Sequence, residues 1–288
     1  MSAHSRRTFV KLAGAAVAAS AVPGGAAVAA EVPGAAARAA GAPAAKPAFT
    51  LGVASYSLRN FTLDQALEMT RRVGLTRVSL KDMHFPLTSS EEQARMVMAK
   101  AKAAGVTVSA IGVVYMTTED EVRQAFTLAR WAGLPMIVGA PNEPLLPFAE
   151  RMVKETGISL AIHNHGPDRP LYSSPEDAYK LIAKMDKRMG LCIDLAHTQR
   201  LGIDPTDIFV RLYDRMLDVH IKDTSAASKA GTTVEIGRGV IDIPKFLRAA
   251  AKMKYDATMH FEHEKDPADP LAGLAESVGY VRGFLASL

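Results

Sequence analysis

Cysteine is almost absent from this chain: Cys192 is the only one among 288 residues. An intramolecular disulfide is therefore excluded, and so is a metal site built from several thiolates. Because Cys192 lies within an apolar run typical of a strand, the sequence predicts that it is a small buried hydrophobic residue.

The chain also lacks a strong excess of charge. Its formal net charge is +4, from 34 basic and 30 acidic residues. Three of the basic residues, Arg6, Arg7 and Lys11, lie in an N-terminal segment that we expect to be removed, which leaves 31 basic residues in a chain that begins at Glu31. Such a balance lacks the basic surface that nucleic acid requires, so we expect a small-molecule partner and no nucleic acid.

Long hydrophobic runs are missing too, even at the N-terminus. Residues 5–11 read Ser-Arg-Arg-Thr-Phe-Val-Lys, and a weakly apolar, Ala-rich run follows up to residue 30. This segment resembles a twin-arginine export signal, cleaved after Ala29 or Ala30. Its Pro23-Gly24-Gly25 break argues against a stable membrane anchor. We therefore expect a signal peptide over residues 1–30 and a periplasmic or extracellular protein.

Residues 31–47 are rich in Ala, Pro and Gly and have no hydrophobic period. This composition is typical of a disordered linker. The linker is predicted to join the export signal to a single folded domain over residues 48–288.

Apolar strand runs alternate with amphipathic helix patterns in that domain, which indicates a parallel sheet. No glycine-rich loop follows the first strand, so a dinucleotide-binding sheet is disfavoured. Eight strand–helix units in about 240 residues fit a single-domain α/β fold, the (β/α)8 TIM barrel. The predicted strands are 49–56, 76–81, 106–113, 135–140, 158–165, 189–195, 216–222 and 257–263.

The few histidines of the chain are concentrated at the ends of the predicted strands. Of the eight histidines, only His4 lies away from the predicted strand ends. Catalytic groups of α/β barrels gather at the carboxyl ends of the strands, so this placement predicts an active site there. The other seven are His84, His163, His165, His197, His220, His260 and His263.

Alternation along strands five to eight separates branched apolar residues from polar ones. The apolar set suits the face that packs against helices, so the polar set is predicted to point into the barrel mouth. Imidazoles and carboxylates that converge there need a compensating cation. We predict one divalent metal ion, suited to Mn²⁺, Co²⁺, Zn²⁺ or Fe²⁺, with the ligands His163, Asp194, His220 and Glu262.

Several segments in residues 49–288 resemble the xylose-isomerase-like barrel superfamily of sugar phosphate isomerases and epimerases. The resemblance implies one divalent metal held by strands five to eight, and by position it implies the same four ligands. It also implies that His197 contacts the substrate. The matching segments are LAIHNHG (160–166), GLCIDLAHTQRLGIDP (190–205), DVHIKDTS (218–225), VEIGRGVIDIP (234–244) and HFEHEKD (260–266).

Residue 163 departs from the family pattern. Ketose epimerases of this group usually have Glu at that position and use it with the strand-eight Glu as an acid/base pair. Proton abstraction next to a metal-bound carbonyl needs only one base, for which Glu262, His165 and Lys222 are candidates. The His-x-His of strand five resembles sugar dehydratases and exported lyases that cleave 3-keto-glycosides by β-elimination.

Further substrate contacts are predicted at Tyr56, His84, Glu143 and Arg238, with an ordinary structural role as the alternative for each. The expected function is a metal-dependent isomerase or epimerase that acts on a sugar or keto-sugar through an enolate. A β-eliminating lyase is the close alternative, and a non-catalytic sugar-binding protein is the third. The near-neutral charge and the export signal disfavour a DNA-repair endonuclease. The sequence leaves homo-oligomerisation open.

Overall fold

Eight parallel strands close on one another in the computed structural model, which describes residues 47–288. The ring closes where β1 pairs with β8, with Thr50 opposite Thr258. Every predicted strand is present, so the predicted (β/α)8 barrel is confirmed. The predicted export signal and residues 31–46 of the predicted linker lie outside the described residues. The barrel strands are β1 (Thr50–Ala54), β2 (Arg77–Leu80), β3 (Thr107–Met116), β4 (Met136–Pro141), β5 (Ser159–His163), β6 (Met189–Asp194), β7 (Met216–Ile221) and β8 (Thr258–Phe261).

Helices connect the strands on the outside of the barrel. Capping boxes begin four of them, at Thr62, Ser90, Thr118 and Ser174. A two-stranded antiparallel hairpin, Asp223–Thr224 with Thr233–Val234, lies between β7 and the next helix. The helices are α1 (Leu63–Arg72), α2 (Glu91–Ala103), α3 (Glu119–Trp131), α4 (Leu146–Thr156), α5 (Pro175–Ile182), α6 (Leu195–Gln199), α7 (Pro205–Arg211), α8 (Ile243–Lys252) and α9 (Leu271–Leu285).

Strand β3 runs three residues beyond its predicted end at residue 113. Its register to β4 shifts between Ile111 and Val114. Gly112 lies there with φ +146°, and a Cβ at this position would come 2.2 Å from the Val138 carbonyl oxygen. The two strands lie so close here that only glycine, which has no Cβ, fits between them. The extra length carries Tyr115 to the barrel mouth.

The alternation along the strands sorts side chains into two layers. Leu160 and Ile162 of β5 belong to the large core between strands and helices. Ala161 and Cys192 belong to a small cluster inside the barrel. Cys192 is 1 % exposed, which confirms its predicted burial.

A buried polar network fills the barrel interior on the β7–β8 side. The His260 ring lies between Asp218 and Ser109, with Nδ1 2.8 Å from Asp218 Oδ1 and Nε2 2.7 Å from Ser109 Oγ. The Cys192 thiol donates to Asp218 Oδ2 over 3.7 Å. These bonds satisfy polar groups that would otherwise be costly to bury. They also give His260 a structural role on the floor of the barrel.

Within residues 47–288, no helix is both long and apolar enough to cross a membrane.

The buried Arg215 guanidinium fastens the α5–β6 connection and donates to four backbone carbonyls: Ala183, Met185, Asp186 and Met189. A lysine ammonium has three donors and no planar fork, so Arg215→Lys leaves buried acceptors unpaired. We expect the free energy of unfolding in urea to fall by about 2 kcal/mol. The control is Arg95→Lys on the exposed face of α2, with an expected change below about 0.5 kcal/mol. Equal effects of the two substitutions would contradict this role.

Candidate active site

Four buried side chains at the carboxyl ends of β5–β8 each bring one donor atom into a common group. These atoms all lie within 4.8 Å of one another, and none of the four residues is more than 5 % exposed. The β-strand pleat places them there, since each has the inward parity of its strand. The structure thus brings together the four ligands predicted from the sequence: His163, Asp194, His220 and Glu262.

The nitrogen and oxygen atoms of this cluster lie close together, and few of them have a hydrogen-bond donor as a partner. His163 Nε2 lies 3.1 Å from His220 Nδ1 and 3.8 Å from Asp194 Oδ2. His220 Nδ1 is 3.4 Å from Glu262 Oε2. Asp194 Oδ1 accepts from the His197 amide, while the buried Oδ2 finds no hydrogen-bond partner among the described residues. Two imidazoles and two carboxylates with lone pairs aimed inward fit a divalent cation.

The electrostatics of the cluster favour added positive charge. Burial raises the pKa of Asp194 to about 6, even though Lys222 opposes the shift. Burial alone would lower the pKa of His220, but the Glu262 carboxylate beside it raises it overall. The pKa of His163 is lowered well below its usual value by burial and by His220. The raised pKa values of Asp194 and His220 therefore favour added positive charge, which a divalent cation would also supply.

Lys222 places a buried ammonium against the cluster. Its Nζ lies 2.8 Å from Glu264 Oε1, 3.3 Å from Glu262 Oε2 and 3.6 Å from Asp194 Oδ2. Burial lowers the pKa of Lys222, but these carboxylates outweigh it and raise the pKa above its usual value. The ammonium thus stays protonated at neutral pH. This favours a hydrogen-bond donor role over the base role considered from the sequence.

A cavity of about 230 Å³ opens over the cluster and is called here the first cavity. Tyr56, His165 and His197 line it, as the sequence predicts for site residues. His165 Nε2 lies 3.0 Å from the Tyr115 hydroxyl. Burial lowers the pKa of His165 to about 4 and that of His197 to about 3, so both imidazoles are neutral near pH 7.

The sequence analysis missed six residues that line the first cavity, among them Lys81, Tyr115 and Arg169. Lys81 directly follows β2 and donates to the Val113 carbonyl over 2.7 Å, so its place at a strand end could have identified it. Tyr115 was missed because β3 was predicted to end at residue 113. Arg169 lies 4.5 Å from the Tyr115 ring centroid in a loop without periodicity, where no sequence pattern indicates it.

Three predicted substrate contacts lie away from the first cavity. Both ring nitrogens of buried His84 are engaged, at 2.9 Å from Ser55 Oγ and 3.0 Å from the Phe61 carbonyl oxygen. Glu143 is exposed at the start of a short 3₁₀ turn. Arg238 forms a forked ion pair with Glu276 of α9, at 2.5 and 2.8 Å. Local hydrogen bonds and loop geometry turn these side chains away from the first cavity.

Asp223 fixes the chain beyond Lys222. Its buried Oδ2 accepts from the amides of Gly237 and Gly239, both at 3.0 Å. Its Oδ1 accepts from the amides of Thr224 at 2.8 Å and Ile241 at 3.2 Å. One carboxylate thus joins the end of β7 to the Gly-x-Gly turn, which holds the loop beside the site in place.

Asp223→Asn replaces one of these acceptor oxygens with a donor and leaves amide donors facing an NH₂ group. We expect hydrogen exchange at the Gly237, Gly239 and Ile241 amides to accelerate at least about tenfold, since a lost charged hydrogen bond is worth about 1.5–3 kcal/mol. Asp242→Asn is the matched control, because Asp242 caps α8 and Asn caps helices equally well. Unchanged exchange in Asp223→Asn would show that the carboxylate does not hold the turn.

Two curated proteins share part of this sequence. The rhizopine catabolism protein MocC of Rhizobium meliloti is 31 % identical over 149 residues, which cover 46 % of this chain and 45 % of that protein. An inosose dehydratase of Lacticaseibacillus casei is 28 % identical over 130 residues, covering 40 % and 43 %. The chain therefore matches less than half the length of these curated relatives.

Solved structures share the whole barrel. The structure of an L-ribulose 3-epimerase superposes with a TM-score of 0.67 at 14 % identity, covering 83 % of this chain and 95 % of that one. A xylose isomerase-like TIM barrel protein of Mycobacterium smegmatis in complex with magnesium gives 0.63 at 17 % identity, covering 83 % and 97 %. At these identities the likeness shows the fold.

The sequence matches one protein-family model across most of the described barrel, from residue 67 to residue 284. That span begins in α1 and ends in α9, so it includes β2–β8 and all four clustered side chains. The chain belongs to the xylose isomerase-like TIM barrel family.

Proposed function

We propose that this protein is a divalent-metal-dependent enzyme that removes a proton next to the carbonyl of a sugar or keto-sugar. The observation that supports this best is the convergence of His163, Asp194, His220 and Glu262 beneath the first cavity. Similarity to an inosose dehydratase, to an L-ribulose 3-epimerase and to a magnesium-bound barrel supports the same class of chemistry.

The four clustered residues would hold the metal. A bound divalent cation would polarise the substrate carbonyl and stabilise the negative charge that develops on its oxygen. Two neutral imidazoles and two carboxylates balance a divalent charge, while Lys222 is balanced by Glu264. With the ion bound, the set would therefore be close to neutral, as a buried site requires.

Glu262 is the base in this proposal. Burial would raise its pKa, but Lys222 and His220 lower it well below the usual value, so the carboxylate is ionised. Its Oε2 makes the contacts to Lys222 and His220, which leaves Oε1 to accept the proton. Lys222 donates a charge-assisted hydrogen bond to a substrate oxygen, and the His165–Tyr115 pair orients a sugar hydroxyl.

Residue 163 favours β-elimination as the fate of the enolate. Epimerisation needs a second group to return a proton from the opposite face, and a neutral, buried imidazole with a strongly lowered pKa is poorly suited to that task. In elimination, Glu262 takes the proton from the carbon next to the carbonyl, a C=C bond forms as the bond from the β-carbon to oxygen breaks, and the departing oxygen can take up that same proton, so one base suffices. Dehydration of a keto-sugar and cleavage of a 3-keto-glycoside are both reactions of this kind. Isomerisation or epimerisation is the alternative outcome.

His220→Ala is expected to abolish metal binding, because it removes one of four converging donors. Wild-type protein should contain about one divalent ion per chain by elemental mass spectrometry. His263→Ala is the matched control, since His263 is equally buried but lies outside the four-atom cluster. Wild-type metal content in His220→Ala would contradict the ligand assignment.

Metal affinity is expected to fall as the pH drops through about 6. The ion competes with protons for Asp194, whose pKa is raised to about 6, and for His220, whose pKa is also raised. Metal titrations by calorimetry between pH 5 and 7.5 should show proton release on binding that is largest at the acidic end. A pH-independent affinity over this range would contradict competition at these groups.

Metal-loaded protein should turn over a keto-sugar in D₂O. Release of the aglycone from 3-keto-glucosides indicates elimination, and deuterium in intact ketoses indicates isomerisation or epimerisation. Glu262→Gln should lower the rate at least about 100-fold, as expected for loss of a general base. Its metal content is measured in parallel because Glu262 is also a ligand candidate.

Glu143→Gln is the matched control for that experiment, since Glu143 is exposed and lies outside the first cavity. It should retain the wild-type rate. If metal-loaded wild-type protein binds sugars but catalyses neither reaction, the non-catalytic sugar-binding alternative replaces this proposal.

The predicted export signal remains a prediction. Exported by the twin-arginine route, the protein would meet glycosides rather than the phosphorylated sugars of the cytoplasm. That location is consistent with elimination from a keto-glycoside.

A further inference from the structure

A second cavity of about 490 Å³ lies beside the first and is larger than it. The two cavities share Asp168, His197 and Glu264 in their walls. Lys222 lines the second cavity, while its ammonium contacts Glu262 of the first. The candidate catalytic groups therefore lie at the border between two spaces rather than at the bottom of one.

Hydrogen bonds hold the outer wall of the second cavity. The wall is the hairpin over residues 223–234, in which the Ser225 amide donates to the Thr232 carbonyl over 2.9 Å. Arg200 Nη2 donates to the Lys229 carbonyl at the hairpin tip over 2.8 Å. Asp223 fastens the base of the hairpin, as described above. The second cavity is thus preformed, which lowers the entropic cost of binding there.

The lining of the second cavity suits a neutral ligand with many hydroxyl groups. It contains Thr224, Thr232 and Thr233 and no Phe, Tyr or Trp, whereas Tyr56 and Tyr115 line the first cavity. Hydroxyl groups can donate to and accept from a sugar.

Each cation in this lining has an acidic partner within hydrogen-bond distance. Arg200 Nη2 pairs with Asp168 Oδ1 at 3.0 Å, Lys265 with Glu235 at 2.8 Å and Lys222 with Glu264 at 2.8 Å. A phosphate would have to compete with these carboxylates for its counter-charge. The charge pattern therefore favours an uncharged partner.

We propose that the second cavity binds a second sugar ring, so that the substrate is a keto-sugar joined to another sugar rather than a free monosaccharide. This inference rests on the proposed function, because it assigns the reacting ring to the first cavity. The first cavity falls below the range of about 300–1,000 Å³ typical of ligand pockets, and the second lies within it. A ring that reacts over the metal cluster would direct its glycosidic substituent past Lys222 into the second cavity.

The test compares two probes that share the reacting ring: methyl 3-keto-glucoside and 3-keto-cellobiose with the ketone on the non-reducing ring. If Glu262→Gln protein retains metal, the dissociation constants of both probes are measured on it by calorimetry. If it does not, KM values for both probes are measured on the wild-type protein from initial rates. We expect 3-keto-cellobiose to bind at least tenfold more tightly than the methyl glycoside.

Thr233→Trp fills the second cavity and should reduce that affinity ratio to near one. Val240→Trp adds the same bulk at a position 50 % exposed and outside the lining, and it should keep the wild-type ratio. A wild-type ratio near one, or an unchanged ratio in Thr233→Trp, would overturn the second-ring assignment.

Turnover of the two probes tests the proposed function, and the affinity ratio tests the second-ring assignment. If the methyl probe is turned over while the ratio is one, the proposed function stands and the second-ring assignment fails. If neither probe binds, both fail. If both bind with the expected ratio but neither reacts, the second-ring assignment stands and the catalytic proposal fails.

Discussion

Burial of two carboxylates at the barrel mouth is the constraint on which the rest of the site depends. Asp194 and Glu262 are almost fully removed from water, and ionised groups there are stable only with a compensating charge. Lys222 supplies part of it, and the raised pKa values of Asp194 and His220 show that more is needed. In the proposed function, one divalent ion would supply the rest of this charge.

The surrounding structure keeps this cluster from relaxing. Below it, His260 and Asp218 form a buried network in which every contact is between strands of the barrel. Beside it, Asp223 fixes the turn that follows Lys222. These hydrogen bonds hold the strands and the turn on two sides of the candidate ligands, which is the kind of support that a preorganised metal site requires.

The two-residue alternation of strands explains which features the sequence could predict. It correctly placed His163, Asp194, His220 and Glu262 together, since parity and strand order fix inward positions without knowledge of the loops. It failed where loops or register decide the outcome. Tyr115 reaches the site only because of the irregularity at Gly112, and Arg169 arrives from a loop. His84 and Arg238 were predicted as contacts, but local partners hold them elsewhere.

Two features, the histidine at position 163 and the pair of cavities, both concern the choice between elimination and epimerisation in the proposed function. With a neutral imidazole there, the proposed base Glu262 has no acid/base partner at position 163, which suits removal of a single proton. Elimination also requires space for the group that departs. The second cavity begins at Lys222, whose protonated ammonium can stabilise negative charge on a departing oxygen. In the proposed function, a single base on one side and a hydroxyl-lined space on the other are consistent with β-elimination of a glycosidic substituent.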